Sequence, residues 1–299
     1  MVKIILAHIF LLFANLIYAI NYSFAKDVMP TFIMPSGFIL LRVLGAFFLF
    51  FLLHKIFIRE KVEAKDLLRL VACGFFGVAV NQLFFFEGLN LSTPINASII
   101  MTINPIIVII ISFFMLKESF GIKKIFGVLL GLVGAGILIL NNGEIDLSNN
   151  LRTGNILVLI NASSYAFYLV IVKPLMTRYN PITILTYVFG FGILFVLPFG
   201  YDELWNVNWN IMPKTIFWQI IFVVFCTTFL AYLFNAYALK NLNPTTVSIY
   251  IYIQPVLASV FAVFWGIDKI NNEKITSALI IFIGVYLVSQ QNRPKDKLS

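Results

Sequence analysis

The stretch Leu89–Gly134 reappears 150 residues later as Leu239–Gly284. At that single offset, without gaps, Pro94 meets Pro244, Ser98 meets Ser248, and Asn104-Pro105 meets Gln254-Pro255. Phe114 meets Phe264, Glu118 meets Asp268 and Gly134 meets Gly284. An offset of 147 aligns an earlier segment, Tyr18-Ala19 with Tyr165-Ala166 and Lys26 with Lys173. The chain reads as two copies of one unit, so the fold has to satisfy the same pattern twice.

That pattern is apolar. Hydrophobic residues make up 61% of the chain and charged residues 11%, with mean hydropathy +0.96, whereas soluble domains are near one quarter charged. A helix crossing about 30 Å of hydrocarbon needs roughly 20 mostly apolar residues. Ten runs meet that description, at about 4–25, 34–53, 68–89, 95–116, 122–140, 154–174, 182–200, 215–238, 245–266 and 275–290. The first is longer than a signal-peptide core and is read as a retained span. The fold class expected is all-α integral membrane. Ten runs over two copies make five each, and an odd number forces the copies to cross in opposite senses, which is an inverted-topology repeat. The expected division is a first repeat over 1–142, an external polar linker over 143–150, a second repeat over 151–292, and a cytoplasmic basic tail over 293–299.

Lysine and arginine set the orientation. With a cytoplasmic N-terminus the inside carries Lys3, Lys55, Arg59, Lys61, Lys65, Arg69, Lys117, Lys123, Lys124, Lys173, Arg178, Lys240, Arg293, Lys295 and Lys297. The outside carries Lys26, Arg152, Lys214, Lys269 and Lys274. Both termini are therefore expected in the cytoplasm of a multi-pass cell (inner) membrane protein. The net charge of +8 is a topology signal with attraction to anionic headgroups, and nucleic acid is not an expected partner. Cys73 and Cys226 each fall within an apolar run and read as small buried hydrophobes.

The segments Phe86-Glu87-Gly88-Leu89, Pro94-Ile95-Asn96-Ala97-Ser98, Asn104-Pro105, Leu116-Lys117-Glu118 and Gly127–Gly134, with Leu41-Arg42 on the second run, resemble the EamA-type branch of the drug/metabolite transporter superfamily. The resemblance covers nearly the whole chain and both copies. It implies a secondary transporter without a cofactor, exporting amino acids or other small metabolites by alternating access. It also implies that Asn81, Gln82, Phe85, Thr102 and Asn104 line a central cavity.

The residues themselves add to that list. Pro105 and Pro255 sit mid-run in the two copies, each removing a backbone donor, and are expected to kink helices that face a cavity with Asn104 and Gln254 beside them. Amides in hydrocarbon need partners, so Asn81 and Gln82 are expected to face inward. Tyr18 and Tyr165 are repeat mates, with Asn15, Asn21 and Tyr168 nearby, and Tyr250 and Tyr252 add hydroxyls. Across the repeat Glu87 faces Tyr237, Phe85 faces Asn235 and Thr102 faces Tyr252; such mismatches are where a cargo would be distinguished. The expected substrate-binding set is Tyr18, Asn81, Gln82, Phe85, Thr102, Asn104, Tyr165, Tyr168, Asn235, Tyr252 and Gln254.

Arg42 and Glu87 are the intramembrane charges. Such groups cost about 2.5–3.5 kcal/mol at the bilayer centre on insertion scales and usually face a cavity or a partner. Their similar depth permits an ion pair, and this pair, or Glu87 alone, is expected to belong to an outer gate or a proton relay. Gly127, Gly131, Gly134 and Gly136 form a small-residue face suited to close helix packing. An enzyme is not expected: the histidines are His8 and His54 alone, and metalloprotease, nucleophile-elbow and P-loop motifs are absent. A lipid flippase with the same fold is the competing expectation. Cargo, direction and oligomeric state stay open.

Overall fold

A computed structural model of the chain describes residues 2–92, 97, 100–118, 121–140, 149–264 and 272–289. Pro94, Ser98 and Asp268 of the repeat, the linker up to Ser148 and the basic tail lie outside these residues. Every described element is helical. In chain order they are α1 (Val2–Val28), α2 (Pro35–Ile58), α3 (Ala64–Leu91), α4 (Asn104–Leu116), α5 (Ile122–Leu140), α6 (Asn149–Arg178), α7 (Pro181–Trp205) and α8 (Lys214–Asn241), followed by α9 (Pro244–Ile249), α10 (Ile253–Phe264) and α11 (Asn272–Ser289). Six of them (α1, α2, α3, α6, α7 and α8) are long and apolar enough to cross a membrane. The protein is a multi-pass membrane protein. Asn149 and Asn150, assigned to the linker from sequence, instead begin α6, because the helix carries on past the apolar run.

Prolines set where helices begin. Pro35, Pro181 and Pro244 each stand at the first helical turn, where the missing N–H has no partner to lose. Asn180 caps α7 by accepting the Ile182 N–H at 3.0 Å. Pro105 and Pro255 act in the same way. Each lies in the first turn of a new helix, α4 or α10, just after a break at Thr102-Ile103 or a 3₁₀ turn at Tyr250–Tyr252. The expected kinks are therefore helix breaks, made at matching positions in the two copies. A second matched irregularity is π-helical: Phe75–Val80 within α3 and Val223–Leu230 within α8.

The two copies pack reciprocally. α1 packs on α8 and α3 on α6, while α2 pairs with α7 and α5 with α11. These pairs run antiparallel. Gly127 lies against Gly284 while Gly134 lies against Ser277, and Gly37 lies against Glu203 while Gly200 lies against Leu40. Membrane helices gain little from hydrophobic exclusion and associate through close van der Waals packing. The glycine notches supply it: a Cβ on Gly127 would stand 2.8 Å from the Gly284 carbonyl oxygen. Gly136 does not belong to this face, since nothing lies within 4 Å of a Cβ there.

The outer surface is apolar, with Phe57 73% and Phe114 74% exposed, while Asn15, Arg42, Gln82 and Asn161 are buried. This polar-in, apolar-out order suits a bilayer. Basic residues concentrate at one end of the bundle. There Arg178 donates to both Asp66 carboxylate oxygens at 2.8 and 2.9 Å, Tyr179 donates to Asp66 at 2.9 Å, and Lys240 donates to the Tyr179 carbonyl at 3.3 Å.

Candidate functional site

A central cavity of about 100 Å³ lies where α1, α2, α3, α6, α8 and the broken helices converge. Its wall carries seven carboxamides (Asn15, Asn21, Asn81, Gln82, Asn161, Asn235 and Gln254), four phenols (Tyr18, Tyr22, Tyr165 and Tyr232), Thr227 and Arg42. Phe85, Phe86, Met101, Val247 and Ile251 complete it, and no carboxylate is among these lining residues.

A hydrogen-bonded network crosses this space. Gln82 Nε2 donates to the Tyr232 hydroxyl at 3.3 Å, and that hydroxyl lies 3.2 Å from Asn81 Oδ1. Gln82 and Tyr232 are 150 residues apart and so occupy the same place in the two copies. The cavity is thus lined by residues from matching positions of the two sequence copies. Asn235 Nδ2 donates to the Tyr18 hydroxyl at 3.2 Å, and Gln254 Nε2 to Asn15 Oδ1 at 2.8 Å. Asn104 mirrors Gln254 by donating to the Ala162 carbonyl at 2.7 Å, at the matching level of the other copy's first helix.

Of the residues expected to bind cargo, Tyr18, Asn81, Gln82, Phe85, Tyr165, Asn235 and Gln254 stand on the cavity wall. Thr102, Asn104, Tyr168 and Tyr252 do not. Asn104 is fully buried between α4 and α6. Tyr168 and Tyr252 lay their rings in the notches left by Gly77 and Gly131. For Tyr252 the phase is local: it ends a 3₁₀ turn, which advances each residue further around the axis than an α-turn, so helical phase does not carry across it. Because the Tyr252 hydroxyl has no partner among the described residues, Tyr252→Phe is expected to leave uptake and melting temperature unchanged. Tyr252→Ala, which empties the notch, is expected to cost about 3–5 kcal/mol, read by thermal unfolding in detergent.

Tyr22, Asn161, Thr227 and Tyr232 line the cavity without having been singled out in the sequence. Tyr232 carried a usable signal, since it stands 150 residues after Gln82. Asn161 carried only the weaker signal of an amide within an apolar run, since its counterpart at the 147 offset is Ala14.

The expected Arg42–Glu87 ion pair does not form. Phe86 puts its ring 4.2 Å from the Arg42 guanidinium carbon. One residue further round α3, Glu87 is carried towards the start of α2, where it accepts from Ser36 Oγ at 2.9 Å. Glu203 accepts from the neighbouring Gly37 N–H at 2.7 Å, so two carboxylates meet one helix N-terminus, where the helix dipole favours negative charge. Arg42 turns the other way, donating from Nε to Thr228 Oγ1 at 2.9 Å on the π-helical part of α8.

Matched lysines cap helix ends at the two ends of the bundle. Lys173, near the end of α6, donates to the carbonyls of Leu239 at 2.6 Å and Leu242 at 2.8 Å, at the end of α8. Its repeat mate Lys26 donates to the Asn90 carbonyl at 3.3 Å, at the end of α3. Because α3 and α6 are antiparallel, these clamps sit at opposite ends. The left-handed backbone at Lys117 (φ 52°) ends α4 and brings Glu118 within 3.5 Å of Thr245 Oγ1, on the Lys173 side. Burial raises the Glu118 carboxyl above the usual carboxylate range, against the opposing pull of Lys124 and Lys173.

The sequence profile of the EamA-like transporter family matches the chain twice, over residues 5–140 and 152–290. An uncharacterised transporter of Archaeoglobus fulgidus is 27% identical over 230 residues, covering 77% of this chain and 78% of its own. A second from that organism is 25% identical over 270 residues, covering 90% and 92%. A WAT1-related protein of Arabidopsis thaliana is 24% identical over 310 residues, covering 94% and 78%. A crystal structure at 15% identity superposes with a TM-score of 0.74 over 94% of this chain and 96% of that one, which supports the fold. With both halves matched by one transporter profile and a polar cavity built between them, the chain is a member of the EamA-like transporter family.

Proposed function

We propose that this protein is a secondary transporter of the cell (inner) membrane, with ten spans in two inverted five-helix repeats and both termini cytoplasmic. The repeats correspond to residues 1–142 and 151–292, and the cargo is a small polar metabolite such as an amino acid, exported by alternating access. The observation that carries the reading is the Gln82–Tyr232 hydrogen bond, a contact between repeat mates in the wall of a polar cavity. Two antiparallel copies around one site can exchange conformations and so open that site first to one side and then to the other. The reciprocal helix pairing and the clamps at opposite ends support it, because each end has its own closure. The concentration of lysine and arginine at the Lys173 end supports a cytoplasmic assignment for that end.

Coupling to protons is assigned to Glu87, which is only half-buried and shares the start of α2 with Glu203. Two carboxylates held this close favour proton uptake by one of them. Liposomes containing the purified protein and offered labelled amino acids with and without an inside-acid gradient test both parts. The expected result is uptake by the wild type that the gradient stimulates, with Glu87→Gln transporting at a pH-independent rate. Unchanged pH dependence in Glu87→Gln would remove the proton role.

A further inference from the structure

We propose that Arg42 is the carboxylate receptor of the cavity, and hence that the cargo carries a carboxylate. The inference rests on the transporter reading above and goes beyond it by assigning the recognition chemistry. Arg42 is 2% exposed and belongs to the cavity wall. Its Nε is occupied by Thr228 and its face by Phe86, which together hold the guanidinium in one orientation. Its Nη1 is buried and has no hydrogen-bond partner among the described residues, and no carboxylate is among the described residues of the wall. A buried cation lacking a counter-charge is strongly unfavourable. Cation–π contact with Phe86 offsets only part of that cost. The cavity is where an anion can enter to complete the pairing.

The copies differ here in a way that fits recognition. α7, the counterpart of α2, has no charged residue between Pro181 and Tyr201. A charge needed for folding symmetry would recur; this one belongs to a single copy. The site also suits one negative charge better than two. A single guanidinium faces the cavity with one edge already used, and no lysine joins it on the wall. That favours a carboxylate over a phosphate dianion. Around it, Asn21 Oδ1, Gln82 Oε1 and Asn161 Oδ1 are buried acceptors without donors among the described residues. These neutral oxygens can receive the N–H or O–H groups of the same cargo, and an α-amino acid presents both halves.

Full-length protein in liposomes tests the assignment. Each of the twenty proteinogenic L-amino acids is offered in labelled form beside its carboxamide, with inorganic phosphate as competitor. The wild type is expected to accumulate at least one acid about tenfold or more over its amide, the scale of a charge-assisted hydrogen bond, with no competition from phosphate. Arg42→Lys should keep part of that preference and Arg42→Gln should lose it, at a melting temperature showing that the variant is folded. Should Arg42→Gln not fold, the acid–amide comparison in the wild type and in Arg42→Lys still decides. Equal uptake of acids and amides, or an acid preference retained without the guanidinium, overturns the inference while leaving the transporter standing. Displacement by phosphate transfers the site to phosphorylated cargo and overturns the carboxylate. No uptake of any probe by folded wild type overturns both this inference and the amino-acid transport reading on which it rests.

Discussion

Leucine at Gly284 is expected to abolish folding, leaving no monodisperse protein on size exclusion after detergent extraction. A Cβ at this position would stand 2.6 Å from the Gly127 carbonyl oxygen, 2.8 Å from the Gly131 nitrogen and 3.2 Å from the Gly131 Cα. All three are backbone atoms of α5, so no side chain can rotate away and the helices themselves must part. Ordinary overpacking in a core costs about 1–3 kcal/mol; separating a whole helix pair costs more, because α5 and α11 hold together by that close approach. Gly136→Leu is the control. It lies on the partner helix α5, open space surrounds its Cβ position, and it should be tolerated. Equal yields of the two variants would mean that the α5–α11 contact does not hold the copies together.

Lys173→Met should open the end of the bundle that Lys173 closes. Lys173 satisfies carbonyls at the C-terminus of α8 that no further helical turn can reach, and it complements the negative end of that helix dipole. Methionine keeps the stem and removes every donor. The reporter is a cysteine at cavity residue Asn235 in a Cys73→Ala, Cys226→Ala background, labelled by an impermeant maleimide from either side. Labelling from the Lys173 side should rise about tenfold in Lys173→Met, equivalent to about 1.4 kcal/mol. Lys26→Met should act from the opposite side and more weakly, since Lys26 holds one carbonyl at 3.3 Å. Identical responses from both sides would dismiss the clamps.

The same reporter carries a pH prediction. Burial at this end raises the Glu118 carboxyl above its ordinary value. The closed state therefore binds its proton more readily than an open, hydrated one. Closure at the Lys173 end should strengthen as pH falls through that raised value and weaken as pH rises through it. Glu118→Gln should remove the dependence. A wild-type labelling rate that falls with rising pH would contradict the sign.

Some of the site was legible before any coordinates. Asn81, Gln82, Tyr18, Tyr165, Asn235 and Gln254 were found because an amide or phenol within an apolar run has few places to go but inward. Depth along a helix is also a matter of counting, and Arg42 and Glu87 do lie on neighbouring helices. Which way each points is not. One step round α3 separates Phe86, which meets Arg42, from Glu87, which does not. Thr102, Asn104 and Tyr252 were misplaced because helical phase does not carry across a break or a 3₁₀ turn. Asn161 was passed over because it has no polar mate in the other copy.

What the amino-acid sequence determined alone was one-dimensional. Hydropathy marked the apolar runs, a constant offset revealed the two copies, and lysine and arginine spacing sorted the loops. Each of these is a property of order along the chain, and each survives any rotation of a helix about its axis. Only the tertiary structure decided those rotations. They follow from where glycine lets one backbone approach another, at Gly127 and Gly284 or at Gly88 and Gly154, and such contacts join residues far apart in sequence. The same packing turned Arg42 away from the carboxylate expected to neutralise it and left it in the wall of the cavity.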